Sequence, residues 1–299
     1  MKLLISKTAG LLIALLVLFA SIWKLSNESK STYMEAFSDK WDRLSKTSTP
    51  RILLVGGSNL AYGVDSKRLS EALNCNVVNM GLHANLGMDF MIDSISQKLK
   101  PGDIVVASIE YELFSDAHRP DGMLLAEVVG MKPELFGVLT LKNYKDIVGG
   151  IVNSLQNRTR ALLCMEKQTS APQRTGFNKY GDYVAHHGSR RDDKTKLHGN
   201  AFCEFSSGIA KRCRKLQSFA DHCKSNGVAF HFTSPPTAEC HMILNQRGFK
   251  DVDESLRRNS SSTTPINTLS DSTLPDGLFF DTVYHLNDAG AELRTTRLI

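Results

Sequence analysis

Several common functions are excluded by what the sequence lacks. Its six cysteines, at positions 75, 164, 203, 213, 223 and 240, include no C-x-x-C pair and no metal-ligand spacing. No metal or other cofactor is therefore expected. The one glycine-rich strand exit, Gly56-Gly57, is followed by Ser-Asn-Leu-Ala rather than by Lys-Ser or Lys-Thr. That rules out a phosphate-binding P-loop, and the absence of G-x-G-x-x-G spacing rules out a dinucleotide fingerprint. The net charge of +5 is mild and the basic residues are dispersed, whereas nucleic-acid binding needs a clustered basic face. One basic knot stands out, at Arg190, Arg191, Lys194 and Lys196. It reads as a solvated loop.

What is present fits a folded body behind an apolar leader. The 299 residues are 41% hydrophobic and 22% charged, ordinary for a globular chain with room for a sizeable core. The run Leu3 to Trp23 has Lys7 as its only charge, and its length approaches the roughly 20 residues that cross a bilayer. Lys2 and Lys7 stand at its start and Trp23 and Lys24 at its end, as at two interfaces. No small-x-small cleavage site follows, so residues 1–24 read as an uncleaved single-pass anchor with a short cytoplasmic tail and the body outside. Residues 25–50 are polar and read as a stalk with one helix, leading to Pro50. A body outside the cytosol leaves disulfides open among the last five cysteines, while Cys75 reads as a small buried hydrophobe.

From residue 51 onwards the chain alternates strand and helix patterns. "RILLVG", "NVVNMGL", "DIVVASIEY" and "VAFHFTSPP" are short apolar runs. Between them, "DSKRLSEAL" has a cap at Asp65 or Ser66, and "GMDFMIDSISQKLK" has helical spacing. Unbroken apolar strands separated by amphipathic helices predict an α/β domain over 51–299, with a parallel sheet covered on both faces. Residues 115–205 lose this rhythm and read as a helical and loop insertion over the carboxyl edge of the sheet, where α/β proteins place ligands. "SLRRNSSSTTPINTLSDST" reads as loop, and Asn287 or Asp288 caps a final helix.

A serine on a strand-to-helix turn, Ser58, becomes a nucleophile only if a base takes its proton and an acid orients that base. "DTVYH" places Asp281 and His285 four apart, able to share one side of a turn. Gly57 leaves room for a substrate carbonyl beside the Ser58 amide, with Asn59 next to it. Asn79 and Gly81, after the second strand, offer donors to an oxyanion. Glu110 and Glu112 close the third strand, where both could simply be solvated; Glu110 is also a candidate for the oxyanion and substrate site, or for orienting His285 in place of Asp281. Adjacent His186 and His187 would face opposite ways on a strand, so they read as loop residues rather than a metal pair. With Asn178 and Asp182, His186 could belong to a substrate lid. His231 reads as a core-edge residue.

These blocks resemble the SGNH, or GDSL-type, hydrolases. "GGSN" is similar to the family's nucleophile block, "NMG" to its glycine block and "DTVYHLN" to its terminal Asp-His block, over about residues 51–299. The resemblance implies a three-layer αβα sandwich of flavodoxin-like type. It implies Ser58 as nucleophile, His285 as base, Asp281 as orienting acid and Gly81 as oxyanion donor. Two features depart from the pattern. Where the third block has Gly-x-Asn-Asp, this chain has "ASIEYELF", and its Asp-to-His spacing is one residue longer. Both departures, together with the anchor, are similar to envelope-polysaccharide acyl-modifying proteins that work beside a membrane-bound O-acyltransferase. The expected substrate is an acyl ester, acetyl above all, of an envelope polysaccharide. The missing Asn keeps a second reading open, a catalytically inactive glycan-binding or accessory partner of such an acyltransferase.

Overall fold

A computed structural model of the chain describes residues 32–164, 172–189, 197–201, 208–259 and 263–299, plus Lys7, Gly10, Ala14, Val17 and Ser21 as isolated helical positions. The rest of the 1–24 run, the basic knot at Arg190, Arg191, Lys194 and Lys196, and Cys203 lie outside the described residues. No helix among the described residues is long and apolar enough to cross a membrane.

Helix α1 (Ala36–Lys46) leads into strand β1 (Arg51–Gly56). Then come α2 (Ser58–Ala61), α3 (Ser66–Leu73), β2 (Asn76–Asn79), α4 (Met88–Ser96) and β3 (Ile104–Ser108). A long excursion holds α5 (Gly122–Met131), α6 (Leu141–Cys164) and α7 (Ile209–Ser225) before β4 (Ala229–Phe232). The chain closes with β5 (Thr237–Ala238), α8 (Glu239–Asn259), α9 (Leu269–Ser272), β6 (Thr273–Leu274) and α10 (Asp288–Leu298). The first four strands form one parallel sheet in the order β2-β1-β3-β4, as parallel strands joined by helical crossovers must. Local chemistry marks the ends of these elements. Asp65 accepts the Arg68 N–H at the start of α3, and Asn74 closes that helix in the left-handed region, φ 47°.

Successive β1 residues point to opposite faces. Leu53 and Val55 join Val105 and Ala107 in the larger cluster, while Ile52 and Leu54 join Val77, Leu60 and Leu69 in the smaller one. Both faces of the central strand β1 are therefore dry. Helix α1 belongs to the larger cluster, because Phe37, Trp41 and Leu44 are buried there. The segment read as stalk thus contributes a core helix. The tail of α8, read as loop, is helical because Phe249, Val252 and Leu256 bury one stripe.

Other expectations are corrected. Cys75 is only half-buried, and Cys75, Cys213, Cys223 and Cys240 are free thiols. His231 is exposed on β4, an edge strand.

At the amino ends of β1 and β3, Arg51 and Asp103 form a fully buried two-pronged ion pair, with Nε–Oδ1 and Nη2–Oδ2 both 3.0 Å. Arg51 also donates to the carbonyls of Leu44 and Lys98, and Asp103 accepts the Lys100 N–H. Asp103→Ala strands this guanidinium in the core. We expect a loss of about 3–5 kcal/mol, read as a lower urea midpoint.

Strand β1 lies between β2 and β3, so the chain leaves it in one direction and returns past it in the other. The crevice at the carboxyl ends of β1 and β3 is a topological switch point, where open α/β sheets bind ligands. The register pairs Gly56 with Ser108. The Ser58 turn and the Glu110 turn are therefore neighbours.

Candidate active site

The two glycines before Ser58 permit close approach to the end of β3. A Cβ on Gly56 would sit 2.0 Å from the Ser108 carbonyl oxygen, and one on Gly57 would sit 2.3 Å from Glu110 Oε1. Gly57 has φ −86°, so space rather than a left-handed backbone demands it. Ser58 opens α2, and its amide, at the first helical position, has no intrahelical partner. The residue is half-buried, and its hydroxyl makes no hydrogen bond among the described residues.

Asn59 is fully committed to structure. Its Nδ2 donates to the Ser108 carbonyl at 3.0 Å, and its Oδ1 accepts from Ser108 Oγ and Arg294 Nη2, both at 3.1 Å. Arg294 also donates to the Asn59 carbonyl at 2.7 Å and to Ser108 Oγ at 2.8 Å. This buried network stitches α10 to the exits of β1 and β3. Glu110 lies against it, 3% exposed. Its Oε1 accepts the Asn59 N–H at 3.3 Å, while its buried Oε2 has no hydrogen-bond partner. Burial raises its carboxyl above the ordinary value, against the pull of the Asn59 hydrogen bonds, and the charge of Glu112 adds to the rise. Glu110 is therefore not the solvated strand-end residue that its sequence position also allowed.

Asn79 and Gly81 are tied to each other. The Gly81 N–H donates to Asn79 Oδ1 at 2.9 Å, and Asn79 Nδ2 donates to the Leu60 carbonyl and to Asp182 Oδ1, both at 2.9 Å. In this arrangement neither offers a hydrogen to an oxyanion. Gly81 is small because a Cβ there would come within 2.5 Å of Leu60 Cβ. Asp182, buried, also accepts from the Ser66 N–H and from Asn178 Nδ2. Asn178 and Asp182 thus hold the 172–189 segment against the end of β2, where the Asn79 N–H donates to the Tyr180 carbonyl at 2.9 Å. Their side chains brace the body rather than forming a lid.

The terminal block folds as its spacing suggests. The Phe280 N–H donates to the His285 carbonyl at 2.8 Å, and the Thr282 hydroxyl oxygen accepts from the His285 N–H at 3.2 Å. This turn brings His285 Nδ1 to 2.7 Å from Asp281 Oδ1. Burial pushes the Asp281 carboxyl up, but the hydrogen bond and charge of His285 outweigh it and hold Asp281 below its ordinary value. The His285 ring stacks flat on Tyr62, with centroids 3.9 Å apart and planes 2° apart. Tyr62 lies one helical turn beyond Ser58 and donates its N–H to the Ser58 carbonyl at 3.0 Å. No hydrogen bond links Ser58 Oγ to His285 Nε2, and Nε2 carries no partner among the described residues.

Residues that the sequence reading did not single out complete the neighbourhood. Tyr62 is the platform for His285. His83, in the loop after β2, is lowered in pKa by its own burial and then by the charge of His285. Glu112 anchors the terminal block from beneath, accepting from Tyr284 Oη at 2.8 and 2.7 Å and pairing with His241 Nε2 at 2.7 Å. The position of Tyr284 beside His285 was the available signal. Glu112 was visible only as a charge at a strand end.

No protein-family model matches the chain, and no curated protein matches it.

Proposed function

We propose that the chain is a serine-dependent esterase or O-acyltransferase of the SGNH type. Its substrate would be acyl esters, acetyl above all, of a bacterial envelope polysaccharide. The observation that carries this reading is the Asp281–His285 pair, stacked on Tyr62 one helical turn from Ser58 at the switch point of a parallel sheet. The strand order β2-β1-β3-β4, with helices over both faces, agrees with a flavodoxin-like αβα sandwich. The apolar run over 1–24 supports an inner-membrane anchor with the body in the periplasm, where envelope glycans and a membrane-bound O-acyltransferase would be met.

In this chemistry Ser58 Oγ attacks the acyl carbonyl as its proton passes to His285 Nε2. The carbonyl electrons move onto oxygen, and the tetrahedral intermediate collapses. The glycan oxygen departs with the proton from Nε2 and leaves an acyl-serine. Water then accepts the acyl group in hydrolysis, or a second sugar hydroxyl accepts it in transfer. Asp281, held ionised, keeps the imidazole with Nδ1–H toward itself and stabilises the imidazolium. The Ser58 N–H supplies one oxyanion donor. Glu110, whose carboxyl is raised above its ordinary value by burial, lies against Gly57 in the place where the family has its Asn.

Two observations favour the second reading, a non-catalytic glycan-binding or accessory partner. The Gly81 N–H is committed to Asn79, and Ser58 and His285 share no hydrogen bond. Acetate release from an acetylated glycan and from p-nitrophenyl acetate separates the two. Turnover is expected from the enzyme, and glycan retention without release from the partner. Asp281→Asn keeps a hydrogen bond to Nδ1 but imposes the wrong tautomer. It should lower kcat by roughly 100-fold with KM little changed.

A further inference from the structure

We propose that His186, His187 and Asp288 form a transition-metal site of the zinc class that clasps the 172–189 segment to the start of α10. One ligand atom from each of the three lies within 4.8 Å of the others. The two histidines occupy a turn, closed by the His187 N–H on the Val184 carbonyl and the Ser189 N–H on the His186 carbonyl, both at 3.0 Å. A turn, unlike a strand, lets adjacent imidazoles share one side, and their rings are 4.8 Å apart, edge to face.

His186 has the features of a metal ligand. It is 4% exposed, packed on Tyr62 at 4.9 Å and Phe280 at 5.2 Å. Its Nε2 is 3.0 Å from the Leu286 carbonyl, while its buried Nδ1 has no hydrogen-bond partner. Histidine ligands typically spend one nitrogen on such a carbonyl, which fixes the tautomer and leaves the other lone pair for the metal. An orphaned buried nitrogen is otherwise a cost without return.

The other two ligands can move to meet it. His187 and Asp288 side chains are 50% and 54% exposed, with Nε2 and Oδ1 3.8 Å apart. Tetrahedral ligands at ordinary zinc distances lie roughly 3.4 Å apart, so a small swing of two exposed side chains closes the site. Asp288 is already placed, since its Oδ2 accepts the Gly188 N–H at 2.8 Å. Imidazole and carboxylate donors without thiolate suit zinc, cobalt or nickel, with a fourth position open to water. Asp288 follows His285 by three residues, so an occupied site would also stiffen the turn that carries the base.

The test uses the untagged full-length chain, stripped with chelator and titrated with Co²⁺ alone, then with Zn²⁺. One equivalent of cobalt should give the visible d–d absorption of a four-coordinate ion and be displaced by zinc. His187→Ala removes a ligand from an exposed position. Asp288→Asn keeps an acceptor for the Gly188 N–H while removing the carboxylate. Each should weaken binding more than about 10-fold and abolish the rise in melting temperature that zinc gives the parent chain. Absence of cobalt absorption in the parent, or absorption unchanged in either variant, overturns the proposal. These readouts do not depend on catalysis.

Discussion

Ser58→Ala is expected to lower acyl-ester turnover by a factor on the order of 10⁴ or more, measured as acetate release from an acetylated glycan. The size follows from chemistry. Without Oγ there is no acyl-serine, and the remaining route is direct attack by water in a site that still supplies the Ser58 N–H. The fold should survive, because the hydroxyl makes no hydrogen bond that the change would orphan. An unchanged urea midpoint, within about 0.5 kcal/mol, checks that the loss is chemical. Activity retained in Ser58→Ala would move the chain to the accessory-partner reading.

His285→Ala should cost a comparable factor. The nucleophile is inert until a base takes its proton, and the pair works as a unit. A Ser58→Ala, His285→Ala double variant should therefore be no slower than either single variant. Additive losses would mean that His285 acts elsewhere than on the Ser58 proton. His285→Ala also uncovers Tyr62, whose ring it stacks on, and removes the partner that holds Asp281 ionised. Activity per folded molecule is therefore the quantity to compare.

The contrast between what was legible in the sequence and what was not has physical causes. The central strand β1 was legible because it is buried on both faces and reads as an unbroken apolar run, Ile52 to Val55. Helix α3 was legible because its cap is local, Asp65 on the Arg68 N–H. The Asp281–His285 contact was legible because one turn spans it. The place of helix α1 in the core, rather than its existence, was obscured by Asp39, Lys40, Asp42 and Arg43, which interleave with the stripe Phe37, Trp41 and Leu44 that it buries.

The roles of Asn79 and Gly81 depended on a residue that no local pattern reveals. The Asn79 amide is claimed by Asp182, 103 positions later, and its oxygen is then aimed at the Gly81 N–H. Sequence could nominate both as donors but could not show that they satisfy each other. Glu110 was ambiguous for a similar reason. Its burial comes from the close approach of β1 and β3 permitted by Gly56 and Gly57, a property of the pairing and not of "ASIEYELF" itself. The two adjacent histidines, read as loop residues, do lie in a turn at 185–188, but their proximity to Asp288, about 100 positions later, is a tertiary property that no local pattern reveals.

The central claim is that His285 activates Ser58 as a nucleophile. The most direct measurement is covalent labelling of the full-length chain by a fluorophosphonate, with the adduct located by peptide mass spectrometry. The account predicts a single adduct on Ser58, lost in Ser58→Ala and slowed by at least about 100-fold in His285→Ala. An unlabelled Ser58 in folded protein, or labelling at the same rate without His285, would contradict it.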